Sequence, residues 1–205
     1  MKRALLVVDM QNDFMPGGAL GVPGGDQIVP IINHLMTLFP LVAACVDWHP
    51  ANHCSFVTQH PGKKAGDKVV VGKLEQILWP VHCVQDTHGA ELVSTLKYER
   101  ISGVFPKGTD PMVDGYSAFY DNAHQKSTGL GEALKQQGVE EIYIAGLATD
   151  YCVLYSAFDA AGMGFKVVVV RDACRPINLG PDDERNALMA IAAVGAKIVS
   201  AKEIR

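Results

Sequence analysis

The chain has 205 residues, 48% of them hydrophobic and 20% charged, with a formal net charge of −4. That length suits one domain, or at most two small ones, with a sizeable core. The charge offers no electrostatic case for nucleic acid or an anionic membrane, and no apolar run approaches the ~20 residues that span a bilayer.

The opening MKRALLVVDMQNDF carries a basic pair and a brief apolar run. Asp9 interrupts it early and no small-residue cleavage site follows, so ALLVVD (4–9) reads as a first strand rather than a signal peptide. Apolar residues at helical spacing run from Ile28 to Phe39, where Pro40 stops them. LVAACVD (41–47) is a second strand and again ends in Asp. Residues 48–88 are long, His-rich and poorly periodic, as are residues 108–127. Such loops in a compact domain are usually functional or mobile. GAELVSTLKYER (89–100) suits either a helix or a strand, and SGVFPKG (102–108) a strand ending at Lys107. A helix over 128–138, a strand EEIYIAG (140–146) and a helix over 153–161 follow. FKVVVVRDAC (165–174) is a buried β-branched strand, DDERNALMAIAAVG (182–195) a helix with an acidic start and a Gly stop, and AKIVSAKEI (196–204) a last strand.

Apolar strands alternating with helices predict a single α/β domain over 1–205: a three-layer α/β/α fold with a mostly parallel central sheet. In such sheets, sites lie outside the carboxyl ends of the strands. Asp9, Asp47, Lys107 and the turn before Cys152 all fall there. The five cysteines (45, 54, 83, 152 and 174) are odd in number and contain no CxxC pair. That argues against a disulfide framework and for a reducing, cytoplasmic compartment.

Four groupings bear on chemistry. Cys152 stands between a strand end and a helix start, where free N–H groups favour a thiolate. Asp9 could accept its proton and Lys107 hold the resulting charge; an Asp–Lys ion pair beside an inert buried thiol is the competing reading. The N–H groups of Ala148 and Cys152 could converge on an oxyanion, while Thr149 or Asp150 caps the helix. Asp47, His49 and His82, with His53 less secure, make a donor set suited to Zn, Mn or Fe(II), in a metal-site loop region at about 47–88. Phe14, Leu20, Trp48, Trp79, Tyr116 and Tyr151 would suit a flat ring, or simply pack the core.

The stretches VVDMQNDF, DWHPANH (47–53), WPVHC (79–83), FPKG (105–108), DGYSAF (114–119) and GLATDYC (146–152) occur in this order across most of the chain. Together they resemble the nicotinamidases of the isochorismatase-like cysteine hydrolase superfamily. The resemblance implies a catalytic triad of Asp9, Lys107 and Cys152, an oxyanion hole at Ala148 and Cys152, and a cis peptide between Leu147 and Ala148. It implies one divalent metal ion (Zn, Fe or Mn) on Asp47, His49 and His82, ring-binding aromatics at Phe14, Trp79 and Tyr116, and Tyr151 at a variable position. The family's fourth metal contact varies, which leaves His53 open. The implied reaction converts nicotinamide to nicotinic acid and ammonia through a thioester on Cys152, in NAD salvage, with pyrazinamide also accepted. Oligomers are common in the superfamily, but no segment marks an interface. A relative acting on another small amide or on isochorismate, and an inactive binding protein on the same fold, are the alternatives.

Overall fold

The computed structural model describes residues 1–205. Six strands form one parallel sheet: β1 (Lys2–Val8), β2 (Val42–Asp47), β5 (Gly103–Lys107), β6 (Val139–Leu147), β7 (Lys166–Arg175) and β8 (Lys197–Val199), in the order β5-β2-β1-β6-β7-β8. β1 shows why the sheet is buried on both sides. Its alternate residues Ala4, Leu6 and Val8 belong to one core, and Leu5 and Val7 to the other. Two apolar faces need two covering layers, as parallel crossovers supply.

The two covers differ. On one face pack α2 (Leu130–Gln136), α3 (Leu154–Gly162) and α4 (Asp183–Ala193), through Leu130, Leu134, Ala157, Ala160 and Ile191. On the other lies a single helix, α1 (Val29–Leu35), through Val29, Ile32 and Leu35. The rest of that face is covered by the loop over residues 83–96, whose Cys83, Ala90, Val93 and Leu96 join the same core. Asn33 of α1 pins the loop, donating to Thr95 O at 2.8 Å and accepting from Lys97 N at 2.9 Å.

Several boundaries differ from the sequence reading. Residues 89–100 form neither helix nor strand; single 3-10 turns at His88–Ala90 and Tyr98–Arg100 break the run, and its apolar residues pack as a loop. The first helix stops at Leu35, because Thr37 Oγ1 turns back onto His34 O (2.7 Å) and Leu38 N bonds Leu35 O (2.8 Å), tightening the chain before Pro40. The last strand is only three residues long. Ser200 and Glu203 make a capping box there, and Asp172 takes Ser200 Oγ and Ala201 N, each at 2.7 Å. Conversely, the irregular region conceals an antiparallel hairpin, β3 (Lys68–Val71) and β4 (Leu74–Ile77), turned at Gly72 with φ +61°. No helix is long and apolar enough to cross a membrane.

Candidate active site

Four adjacent strands, β5, β2, β1 and β6, end at one rim. Asp47 and Lys107 are register partners at the ends of β2 and β5. Asp9 follows β1 in the left-handed region (φ +50°), which Asp tolerates, while its N–H still bonds Cys45 O at 3.1 Å. β6 reaches the rim through Gly146, where φ is +127° and a Cβ would lie 2.0 Å from Val8 O, so no other residue fits. The Leu147–Ala148 peptide that follows is cis.

The registers bring Lys107 Nζ to 3.0 Å from Asp9 Oδ2, 2.5 Å from Asp47 Oδ1 and 3.3 Å from Cys152 Sγ, with Gly115 O at 3.2 Å. One ammonium thus faces two carboxylates and a thiol, all buried. Cys45 Sγ lies 3.7 Å from the other Asp9 oxygen. Burial opposes the Lys107 charge, but Asp47 and Asp9 outweigh it and hold its pKa well above the ordinary value. Burial pushes Asp9 up to about 7 against the pull of Lys107. Asp47, also buried, is nevertheless held well below the usual range, above all by the Lys107 ammonium. For Cys152, burial raises the pKa well above normal; Lys107 opposes this, and Asp9 and Asp47 reinforce it. Burial therefore works against the thiolate that a helix start would favour.

The turn carrying Cys152 is a single π-helical turn, Thr149–Val153, ahead of α3. The Tyr151 and Val153 N–H groups both bond Ala148 O, while the Ala148 N–H has no backbone acceptor. Thr149 and Asp150 do not cap the helix. Thr149 Oγ1 is buried without a partner, and Asp150 instead accepts from Ile177 N (2.9 Å) and Asn178 N (2.7 Å).

Asp47, His49 and His82 are buried, with one donor atom of each inside a 4.8 Å cluster. His49 Nδ1 bonds Gly108 O (2.8 Å) and His82 Nδ1 bonds Pro80 O (2.7 Å). A carbonyl partner fixes each Nδ1 as the protonated nitrogen and leaves Nε2 as a lone pair. Those two Nε2 atoms lie 3.5 and 3.6 Å from Asp47 Oδ2, converging on one small volume. This is the donor chemistry of a divalent metal site, so the residues fit the implied ion. His53 lies outside that trio. Its Nδ1 meets Ser55 Oγ at 2.7 Å, its buried Nε2 has no hydrogen-bond partner, and Asp114 Oδ1 is 3.9 Å away. With His49 and Asp114 it forms a second cluster, and burial and His49 lower its pKa to about 4, keeping it neutral.

The turn after β1 holds these loops in place. Gln11, fully buried, accepts from Asp47 N (2.8 Å) and donates to Asp47 O (2.7 Å) and Ala90 O (2.8 Å). Asp13 Oδ2 accepts from Cys83 N at 2.7 Å, next to His82. Gly108, at φ +61°, leaves room for His49, whose ring a Cβ there would meet at 2.3 Å. In the sequence the QND stretch counts only toward the resemblance; three consecutive polar residues in the turn after a buried strand are the signal that marks this clamping.

Phe14, Leu20, Trp79, Tyr116 and Tyr151 line one pocket together with Ala148, Cys152, Asp47, His49 and His82. Tyr151 packs edge-on against Trp79, ring centroids 4.9 Å apart. Trp48 packs with the core beneath α1 and does not line the pocket. The hairpin contributes Gln76, whose amide reaches Asp114 Oδ2 (2.9 Å) and Tyr116 Oη (3.3 Å), while Trp79 Nε1 reaches the same phenol at 3.1 Å. Two lining residues, Asp114 and Ile177, went unassigned from sequence. Asp114 opens the DGYSAF stretch, but nothing in the pattern around Ile177 marks it. A more open, polar cavity between β7, α4 and β8 contains none of these residues.

The isochorismatase domain model matches residues 3–203. The chain is 45% identical to the nicotinamidase of Escherichia coli (strain K12), covering 96% of this chain and 93% of the relative. Among solved structures it is similar to an Acinetobacter baumanii nicotinamidase/pyrazinamidase (39% identity, TM-score 0.96, 100% of this chain and 98% of the other). It is also similar to the yeast nicotinamidase bound to the inhibitor nicotinaldehyde (33%, 0.91, 97% and 99%). A third similar structure is a Pyrococcus horikoshii pyrazinamidase in complex with zinc (41%, 0.79, 98% and 99%).

Proposed function

The chain belongs to the isochorismatase family, and from that premise we propose that it is a single-domain amide hydrolase that converts nicotinamide to nicotinic acid and ammonia, and accepts pyrazinamide. The observation that carries the reading is that Asp9 and Lys107 converge on Cys152, and that Cys152 lines the same pocket as the Asp47, His49 and His82 donors. The similar proteins named above act on, or bind, ligands of this kind.

Cys152 Sγ attacks the carboxamide carbon, and its proton passes to Asp9 as the S–C bond forms. Asp9, raised to about 7, is matched to that task near neutral pH. The oxyanion is received by the N–H groups of Ala148 and Cys152; the Ala148 N–H is not spent on the backbone. Asp9 returns its proton to the nitrogen, the C–N bond breaks, and ammonia leaves a thioester. A water, deprotonated by Asp9, attacks the thioester carbon, and the C–S bond breaks to give the acid and the thiol. Lys107 orients Asp9 and stabilises the transient thiolate. A divalent ion on Asp47, His49 and His82 would supply a Lewis-acid point that binds the ring nitrogen and orients the amide toward Cys152. Phe14, Trp79 and Tyr116 clamp the ring faces, and Leu20 and Tyr151 complete the enclosure. The product acid would enter NAD salvage.

The test is ammonia release from nicotinamide by purified protein, with and without a chelator. Activity that falls on chelation and returns with Zn, Mn or Fe(II) is expected. Metal-replete protein that releases no ammonia would overturn the reading.

A further inference from the structure

The segment after β7 supplies one wall of the pocket. Ile177 lines it beside Tyr151 and Cys152, yet belongs to no helix or strand. Its backbone is held from the nucleophile's own turn. The two oxygens of Asp150 accept separately from Ile177 N (2.9 Å) and Asn178 N (2.7 Å). Asn178 is in the left-handed region, φ +53°, and successive N–H groups in such a turn converge on an anion. The far end of the segment is anchored on α4: Asn178 Oδ1 accepts from Glu184 N (3.0 Å), and Gly180 N donates to Asp183 Oδ2 (2.7 Å). Asp150 is thus two residues from Cys152 in sequence and bridges the attacking group to a pocket wall.

We propose that Asp150 is a positioning residue that fixes Ile177 as the wall limiting ring substitution. The pocket then admits unsubstituted heteroaromatic carboxamides and rejects those with a methyl group on the ring edge facing Ile177. This rests on the amidase reading above. The physical basis is that an aliphatic wall discriminates by volume only as well as its backbone is held.

The experiment compares kcat/KM for nicotinamide with that for its 2-, 4-, 5- and 6-methyl derivatives. The proteins are wild type, Ile177→Ala, Asp150→Asn, Asp150→Ser and the Ile177→Ala/Asp150→Asn double variant. Ile177→Ala is expected to raise the methylated-to-parent ratio about tenfold or more for at least one isomer, the discrimination one methyl group commands. The Asp150 variants should raise the ratio for that same isomer, Asn less than Ser because its amide oxygen stands where one carboxylate oxygen stood, whereas the serine hydroxyl is one atom shorter. The double variant should match Ile177→Ala, since Asp150 acts through Ile177. Ratios unmoved in Ile177→Ala, a different isomer favoured by the Asp150 variants, or additive effects in the double variant would overturn the proposal while leaving the amidase reading intact. Wild-type protein that turns over no nicotinamide would overturn both.

Discussion

The carboxylate–lysine half of the site stands on strand ends, whereas the imidazole half stands on loops. Asp9, Asp47 and Lys107 end neighbouring strands, so sheet register alone sets their separations. Their charges are compensated within the protein, one ammonium lying between two buried carboxylates. His49, His53 and His82 lie on irregular chain and keep their places through the Gln11 and Asp13 side chains and carbonyls such as Gly108 O and Pro80 O. Their Nε2 atoms face a carboxylate oxygen or nothing, at distances beyond hydrogen bonding. The first half balances its own charges; the second gathers donor atoms of the kind that suit a divalent ion.

If that contrast holds, damage to the two halves has different consequences. Cys152→Ala should lower kcat for ammonia release by about 10⁴-fold or more, as losing a nucleophile does, with metal content unchanged by elemental analysis. Substantial residual turnover would assign the attack to a metal-activated water instead. Lys107→Met should unfold at markedly lower denaturant, a loss of about 3 to 5 kcal/mol, because it strands two buried carboxylates. Unchanged stability would mean those carboxylates are not charged together. Gln11→Ala leaves all three metal donors in place but removes the clamp on Asp47. Zn affinity in a competition titration should weaken about 10- to 100-fold, the usual effect of a lost supporting contact. Full affinity would show that the loops hold themselves.

pH sharpens the comparison further. With Asp9 raised to about 7, the base is protonated and idle at lower pH, so kcat/KM should fall roughly tenfold per unit below that point. The stability term has the opposite sense. The folded state holds this proton more tightly than the unfolded chain, so the contribution is fully present below 3.8 and is lost as pH rises to about 7. An acid limb near 4 would mean that Lys107 dominates burial. The smallest effect belongs to Cys45→Ala, which removes only a long thiol contact to Asp9 at 3.7 Å. A change of about twofold in kcat/KM is expected, well short of the tenfold step that 1.4 kcal/mol represents.

Alternating apolar strands and helices, with polar residues closing several strands, made the α/β architecture and its candidate rim legible in the sequence. The reason is that burial on both faces imposes an apolar run, and a charge at its end marks where the run meets the rim. Asp9, Asp47 and Lys107 were legible as candidates for that reason, Cys152 from its turn between strand and helix, and His49 from its spacing to Asp47, whereas His82 stood out only through the WPVHC stretch. What only the tertiary structure decided comes from contacts distant in sequence. The 89–100 stretch has enough apolar residues for a helix, yet it packs as a loop because α1 leaves part of a sheet face to cover. His53 belongs beside Asp114, 61 residues away, and Asp150 bonds the chain at 177–178 instead of capping its own helix. The upward push on the Cys152 thiol likewise comes first from how deeply the fold buries it, and then from the charges brought around it. Local pattern carries periodicity and strand ends; burial, charge balance and pocket walls arise only when separate segments meet.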